Sequence, residues 1–128
     1  MVLDELLQLL KSDAELQLLL NATPQDPKIY PLATHKIQDC IVYNLATLMS
    51  DNVIEQHRLS ITVISKGLIK ALTISSKVKN LLLTLGDEPK TEHILEITLN
   101  GGSEPIENID TGTIHIKANF IIKTRRYE

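Results

Sequence analysis

The sequence has no tryptophan, one phenylalanine and three tyrosines in 128 residues. A core must therefore be built from Leu, Ile and Val, and few large rings are left to anchor a flat ligand or an unstacked base. Cysteine is reduced to Cys40, which excludes an intrachain disulfide and any metal site made of cysteine pairs within one chain. No apolar run approaches the roughly 18 residues of a membrane-spanning helix, and no basic leader with an apolar stretch and cleavage site opens the chain. A soluble protein made in a reducing cytoplasm is expected. Basic side chains are in the minority, 13 against 16 acidic, for a formal net charge of -3. That balance argues against a dedicated nucleic-acid binder.

What is present fits one domain over residues 1–128, with a core of adequate size. The charge comes in blocks. Residues 1–65 carry four basic and eight acidic side chains, and residues 66–85 carry Lys66, Lys70, Lys77 and Lys79 with no acid. Residues 86–116 set Lys90 against seven acids, and residues 117–128 return to a net +3. Such blocks read either as a solvated helix face beside an acidic loop region or as oppositely signed surfaces that dock on copies of the chain or on a partner.

The organising stretch is Leu59–Leu85: a strand, a hinge at Lys66-Gly67, then one long helix stopped by Gly86. Leu68, Ala71, Ile74, Val78, Leu81, Leu82 and Leu85 mark its apolar face. Before it, Leu3, Leu6, Leu7 and Leu10 form a helical stripe, and Ser12 with Glu15 fits a capping box opening a second short helix over Ala14–Leu20. Pro24, Pro27 and Pro31 keep the next stretch irregular, with Ile29-Tyr30 able to add a short extended segment. Strands are expected over Gln38–Met49 and Val53–Ser65, joined by a turn at Ser50-Asp51-Asn52. The polar run Glu55-Gln56-His57-Arg58 is expected to project beyond the core. A third strand, Thr91–Leu99, places His93, Leu95, Ile97 and Leu99 on one face and Ile94, Glu96 and Thr98 on the other. Asn100–Pro105 reads as a flexible segment or turn and Ile106–Asp110 as a loop. Thr113–Arg125 shows the clearest two-residue alternation, with Ile114, Ile116, Ala118, Phe120 and Ile122 on one side. The fold class is α+β: a mixed or mainly antiparallel sheet of about four strands, packed by the long helix and the short N-terminal helices.

Chemistry-bearing motifs are thin. Asp110-Thr111-Gly112 matches the tripeptide of aspartic proteases, but that reaction needs two carboxylates sharing a proton and an all-β frame; a turn before the last strand is the expected role. His35, His57, His93 and His115 lack metal-ligand spacing, although a cross-strand contact between His93 and His115 is conceivable. Cys40 is expected to act as a small hydrophobe. Asn100-Gly101-Gly102-Ser103 lacks the spacing of a phosphate loop. Catalytic, cofactor and metal sites are therefore expected to be absent. Ile64, Ile94, Ile109 and Ile121 look surplus to one sheet face and suit an interface.

The opening Leu-rich helix broken at Lys11-Ser12-Asp13-Ala14-Glu15-Leu16, the Ile29-Tyr30-Pro31 segment, the Cys40–Leu45 and Leu59–Ser65 strands, the Leu68–Leu85 helix and the closing Phe120-x-Ile122 strand carry a resemblance. In that order they resemble the tail completion proteins of tailed phages and prophages, also described as tail terminator or head-to-tail joining proteins. The chain departs from several relatives in having Val63-Ile64-Ser65-Lys66 where a Trp stands, and in its polar hairpin around Asp51–Arg58.

The resemblance implies an assembly role without catalytic residues. It implies a mixed α/β subunit in a ring, commonly hexameric, at the head-proximal end of a tail tube, with the tube protein and the head–tail connector as partners and DNA passing through. The implied location is the tail or neck of a virion assembled in the host cytoplasm. Expected contact residues are Lys66, Lys70, Lys77 and Lys79 as a basic rim, Asp51, Asn52, Glu55 and Arg58 at the hairpin, Glu104, Glu107 and Asp110 in the following arm, and Arg125 and Arg126 at the end. Reversing Lys77 and Lys79 to Glu is expected to weaken assembly without unfolding the subunit. The alternatives are a neighbouring connector or minor capsid component, and a small enzyme or regulatory domain with a polar cleft around His93, His115 or Asp110.

Overall fold

In the computed structural model, residues 2–20, 28–31, 39–50, 54–83, 94–108 and 112–125 are described. Two helices, α1 (Val2–Lys11) and α2 (Ala14–Leu20), precede β1 (Ile29–Pro31), β2 (Cys40–Ser50) and β3 (Ile54–Ser65). Then come α3 (Leu68–Leu82), β4 (Ile94–Gly102), β5 (Ile106–Asn108) and β6 (Thr113–Arg125). The sheet order is β1-β2-β3-β6-β4, with β5 also on β6. Only β1 on β2 is parallel among these pairs; the others are antiparallel. The fold is thus α+β with a mixed sheet, but of six strands rather than about four. The two additions are three residues each, too short to display alternation in sequence. Ile106–Asn108 in particular is not a loop: it pairs with Thr113–His115.

The helices cover one sheet face. Leu59, Ile61 and Val63 of β3 join Ala118, Phe120 and Ile122 of β6 beneath Ile74, Val78 and Leu82 of α3, while Leu6, Leu10, Leu16 and Leu20 close the layer. Each of the Leu, Ile, Val and Phe side chains among them, fully buried, contributes roughly 1.5–3 kcal/mol. A smaller cluster of Cys40, Val42 and Ile64, with Tyr30 against it, sits on the opposite face at one end.

Local details correct several expectations. The helix break is capped by Asp13, whose Oδ2 accepts the Leu16 N–H at 2.9 Å, whereas the Ser12 hydroxyl donates back to the Gln8 carbonyl at 2.5 Å. Ser12 therefore closes α1 and Asp13 opens α2. Helix α3 stops three residues early: Leu83 turns to extended backbone (φ -66, ψ 135), its N–H still bonded to the Lys79 carbonyl, and its side chain packs on the core. Gly86 lies outside the described residues. Leu68, expected on the buried face, is half exposed in the first turn.

In β4 a register shift between Ile94 and Glu96 absorbs one extra residue, so Ile94 and Ile97 are both buried rather than on opposite faces. Ile94 is accordingly core and not surplus, Ile64 lies off the helix-covered face as expected but is buried there in the Cys40 and Val42 cluster, Ile121 is half-buried, and Ile109 lies outside the described residues. Asn100-Gly101-Gly102 continues β4 instead of forming a flexible segment, and the Ser103 N–H donates to the Lys117 carbonyl at 2.8 Å. Gly102 is required by this close approach, because a Cβ there would stand 2.4 Å from the Lys117 carbonyl oxygen. The polar run Glu55-Gln56-His57-Arg58 of β3 does not project: its residues pair with β2 on one side and with Ile121, Ile122, Lys123 and Thr124 of β6 on the other.

Candidate functional site

The four lysines around α3 do not stand as one free rim. Lys70 forms an ion pair with Asp39, which also accepts from the Ser65 hydroxyl at 2.8 Å. Burial alone would raise the Asp39 pKa, but the hydrogen bonds from Lys70 and Ser65 outweigh it and hold the carboxyl below its ordinary value. Lys77 reaches across to α2, 2.9 Å from Glu15 and 3.6 Å from Asp13. Its pKa is raised, chiefly by the Glu15 hydrogen bond. Lys66 is exposed and Lys79 half exposed. Half of the basic set therefore ties α3 to its neighbours within the chain.

Of the other expected contact residues, Arg58, Glu104, Glu107 and Arg125 are exposed. Glu55 is half-buried, with Oε2 3.3 Å from His57 Nε2. Asp51, Asn52, Asp110 and Arg126 lie outside the described residues, as do His35 and His93. The β4–β6 register sets Ile94 against Thr124, nine residues along from His115. His115 instead meets the Thr113 hydroxyl at 3.0 Å. Among the described residues no group of three or more His, Cys, Asp and Glu could hold a metal ion. Cys40 is fully buried, as its place in a core strand suggested.

Three surfaces escaped the sequence. The first is a shallow groove of about 460 Å³ between α2 and α3, lined by Leu19, Ile69, Leu72 and Thr73 with Glu15 and Lys77 among its other walls. Ile69 beside it is 80% exposed, and Leu18 on α2 is 79% exposed. Their signal was present: both fall off the apolar stripes of their helices.

The second is the outer edge of β2. The Ile41 N–H donates to the Lys28 carbonyl across the β1 side, so alternate residues turn their backbone groups that way, Leu45 and Thr47 included. Among the described residues β1 pairs only with Ile41–Tyr43. Beyond it the edge carries no charge or proline, and Leu48 and Met49 are half exposed. Edges of that kind are templates for another strand.

The third is the open sheet face. Residues paired across it include Gln56 with Lys123, Arg58 with Ile121, Ser60 with Asn119 and Thr62 with Lys117. The Ser60 hydroxyl donates to Asn119 Oδ1 at 2.9 Å.

His57 is one of five buried polar residues among those described, with Ser65, Ser75, Thr113 and Thr124, and is 4% exposed. Its Nδ1 lies 3.2 Å from the Thr47 hydroxyl and its Nε2 3.5 Å from that of Thr124. Burial lowers its pKa, with Glu55 opposing the shift.

Against known proteins, no family model matches the chain, and no curated protein matches it. Among solved structures, the chain is similar to one from the virion of a native gene transfer agent particle. The identity is 15%, the match covers 94% of this chain and 92% of that one, and the TM-score is 0.69. The two share a fold over nearly their whole lengths.

Proposed function

We propose that this chain is a structural component of a tailed-phage-like virion, placed in the tail or neck, that caps the head-proximal end of the tail tube or joins it to the connector as a ring. The observation that carries the reading is the whole-length fold likeness to a virion chain, added to the order of elements that resembles tail completion proteins. Ring closure requires two different, mutually complementary surfaces on each subunit. We assign these roles to the uncharged outer edge of β2 and to the groove between α2 and α3, where Leu19, Ile69 and Leu72 stand among polar walls, two surfaces of different chemistry.

A neighbouring connector position is the second reading, because likeness to a virion chain supports it equally. Electron microscopy of particles assembled without the protein separates capping from joining. Overlong tails are the outcome expected of a terminator, and normal tails detached from filled heads that of a joiner. Particles of ordinary length and attachment would overturn both.

A further inference from the structure

On the sheet face away from the helices, β3 contributes Arg58 and β6 contributes Lys117, Lys123 and Arg125. Lys117, Lys123 and Arg125 share one side of β6 by the two-residue alternation, and Arg58 reaches the same side through its pairing with Ile121. At about 3.4 Å per residue, the run from Lys117 to Arg125 spans roughly 27 Å. None of the four makes an ion pair with a described residue. Among the described residues one acid, Glu96, stands on this stretch, opposite Lys123. Four cations against one anion on a single face of a chain whose net charge is -3 is a sharp local reversal.

Between the cations the face offers Gln56, Ser60, Thr62, Thr98 and Asn119, with half-buried Ile54 and Ile121 and half-exposed Met49 as apolar members and the small Cys40, Val42 and Ile64 cluster at one end. Protein interface cores are rich in aromatic and apolar side chains and poor in lysine. The stretch from Lys117 to Arg125 instead sets lysine and arginine among hydroxyl and amide side chains, with Met49, Ile54 and Ile121 between them. Among the described residues on this side of the stretch no Phe, Tyr or Trp offers bases a ring to stack on. A regular polyanion matches it: spaced cations with hydroxyl and amide donors between them are the groups that contact phosphates and position a duplex without reading its sequence.

We propose that the open face of the β2-β3-β6-β4 sheet binds the phosphate backbone of duplex DNA without sequence preference. The inference rests on the charge and polarity of this face alone, and so stands or falls separately from the position of the protein in a particle.

The test is a salt titration of binding to a fluorescent random-sequence duplex, followed by anisotropy, with the full chain. Four neutralised phosphates give a slope of about -3.6 in log K against log salt, roughly a hundred-fold loss between 50 and 200 mM. Lys117→Gln with Lys123→Gln is expected to halve the slope and reduce that loss to roughly ten-fold. Lys66→Gln with Lys79→Gln, around α3, is expected to leave both unchanged. Circular dichroism of each variant confirms folding, and Arg58→Gln supplies a second open-face variant if the first pair misfolds. No binding at 50 mM salt overturns the proposal. So does binding lost with the Lys66 and Lys79 pair but kept with the open-face variants, and so does preference for polyglutamate over the duplex, which would assign the face to an acidic protein.

Discussion

His57 shows how a single side chain links register to stability. It is held between two threonine hydroxyls and beside Glu55 in a buried position, and burial lowers its pKa from the ordinary 6.5. The unfolded chain then binds the proton more readily than the folded one. Stability is therefore greatest above pH 6.5 and falls as pH drops through that value toward the lower folded pKa. Urea midpoints are expected to fall between pH 7.5 and 5.5 in the natural chain, and to flatten in His57→Gln; an unchanged pH slope in the variant would refute this role. Sequence could not place His57, because a run of Glu, Gln, His and Arg reads as solvated. Pairing on both sides by β2 and β6 is what buries it, and that information is non-local. Asp13 makes a complementary case. Its carboxylate caps α2 and the Ser12 hydroxyl does not, so Asp13→Ala is expected to cost about 1 kcal/mol in chemical denaturation, and Ser12→Ala clearly less.

Elements with long, regular alternation were legible. Strand β6 and the latter half of β3 lie as their sequences indicate, and Ala71, Ile74, Val78 and Leu82 face the core from α3. Irregular pairing defeated the reading. The extra residue near Leu95 inverts the faces assigned to Ile94, and Gly101-Gly102 looks like a turn because glycine usually marks one. Here Gly102 is needed for contact with the β6 backbone. Gly102→Ala drives a Cβ into a carbonyl that cannot move without breaking the β4–β6 ladder, at a cost of about 1–3 kcal/mol. Gly67→Ala meets only the Lys70 Cβ, at 3.9 Å, and is expected to change the denaturation midpoint little. Equal effects of the two substitutions would contradict the close approach.

At the scale of the whole molecule, the sequence indicated blocks of charge but not which of them remain available. Lys70 and Lys77 are engaged within the chain, since Asp39, Asp13 and Glu15 are brought to α3 only by folding. Reversal at Lys77 would set a carboxylate against Asp13 and Glu15 and disturb the α2–α3 contact, so Lys66→Glu with Lys79→Glu is the cleaner test of a basic rim. For the groove, Ile69→Ser with Leu72→Ser alters exposed side chains and is expected to shift stability by no more than about 0.5 kcal/mol per site. If the groove seats a neighbouring subunit, sedimentation of the variant will show the oligomer lost and a folded monomer in its place. An oligomer identical to the natural one would exclude the groove from the contact.

Strand β6 lies between β3 on one flank and β4 with β5 on the other, yet it follows all three in the chain. A nascent polypeptide that has not reached Thr113 holds the three-stranded fragment β1-β2-β3 with a bare hydrogen-bonding edge, and strands β4 and β5 without the β6 partner on which both pair, which is the form most prone to mispair. Productive folding thus waits on translation through Arg125, and shortening the chain before that point removes the keystone rather than a trim.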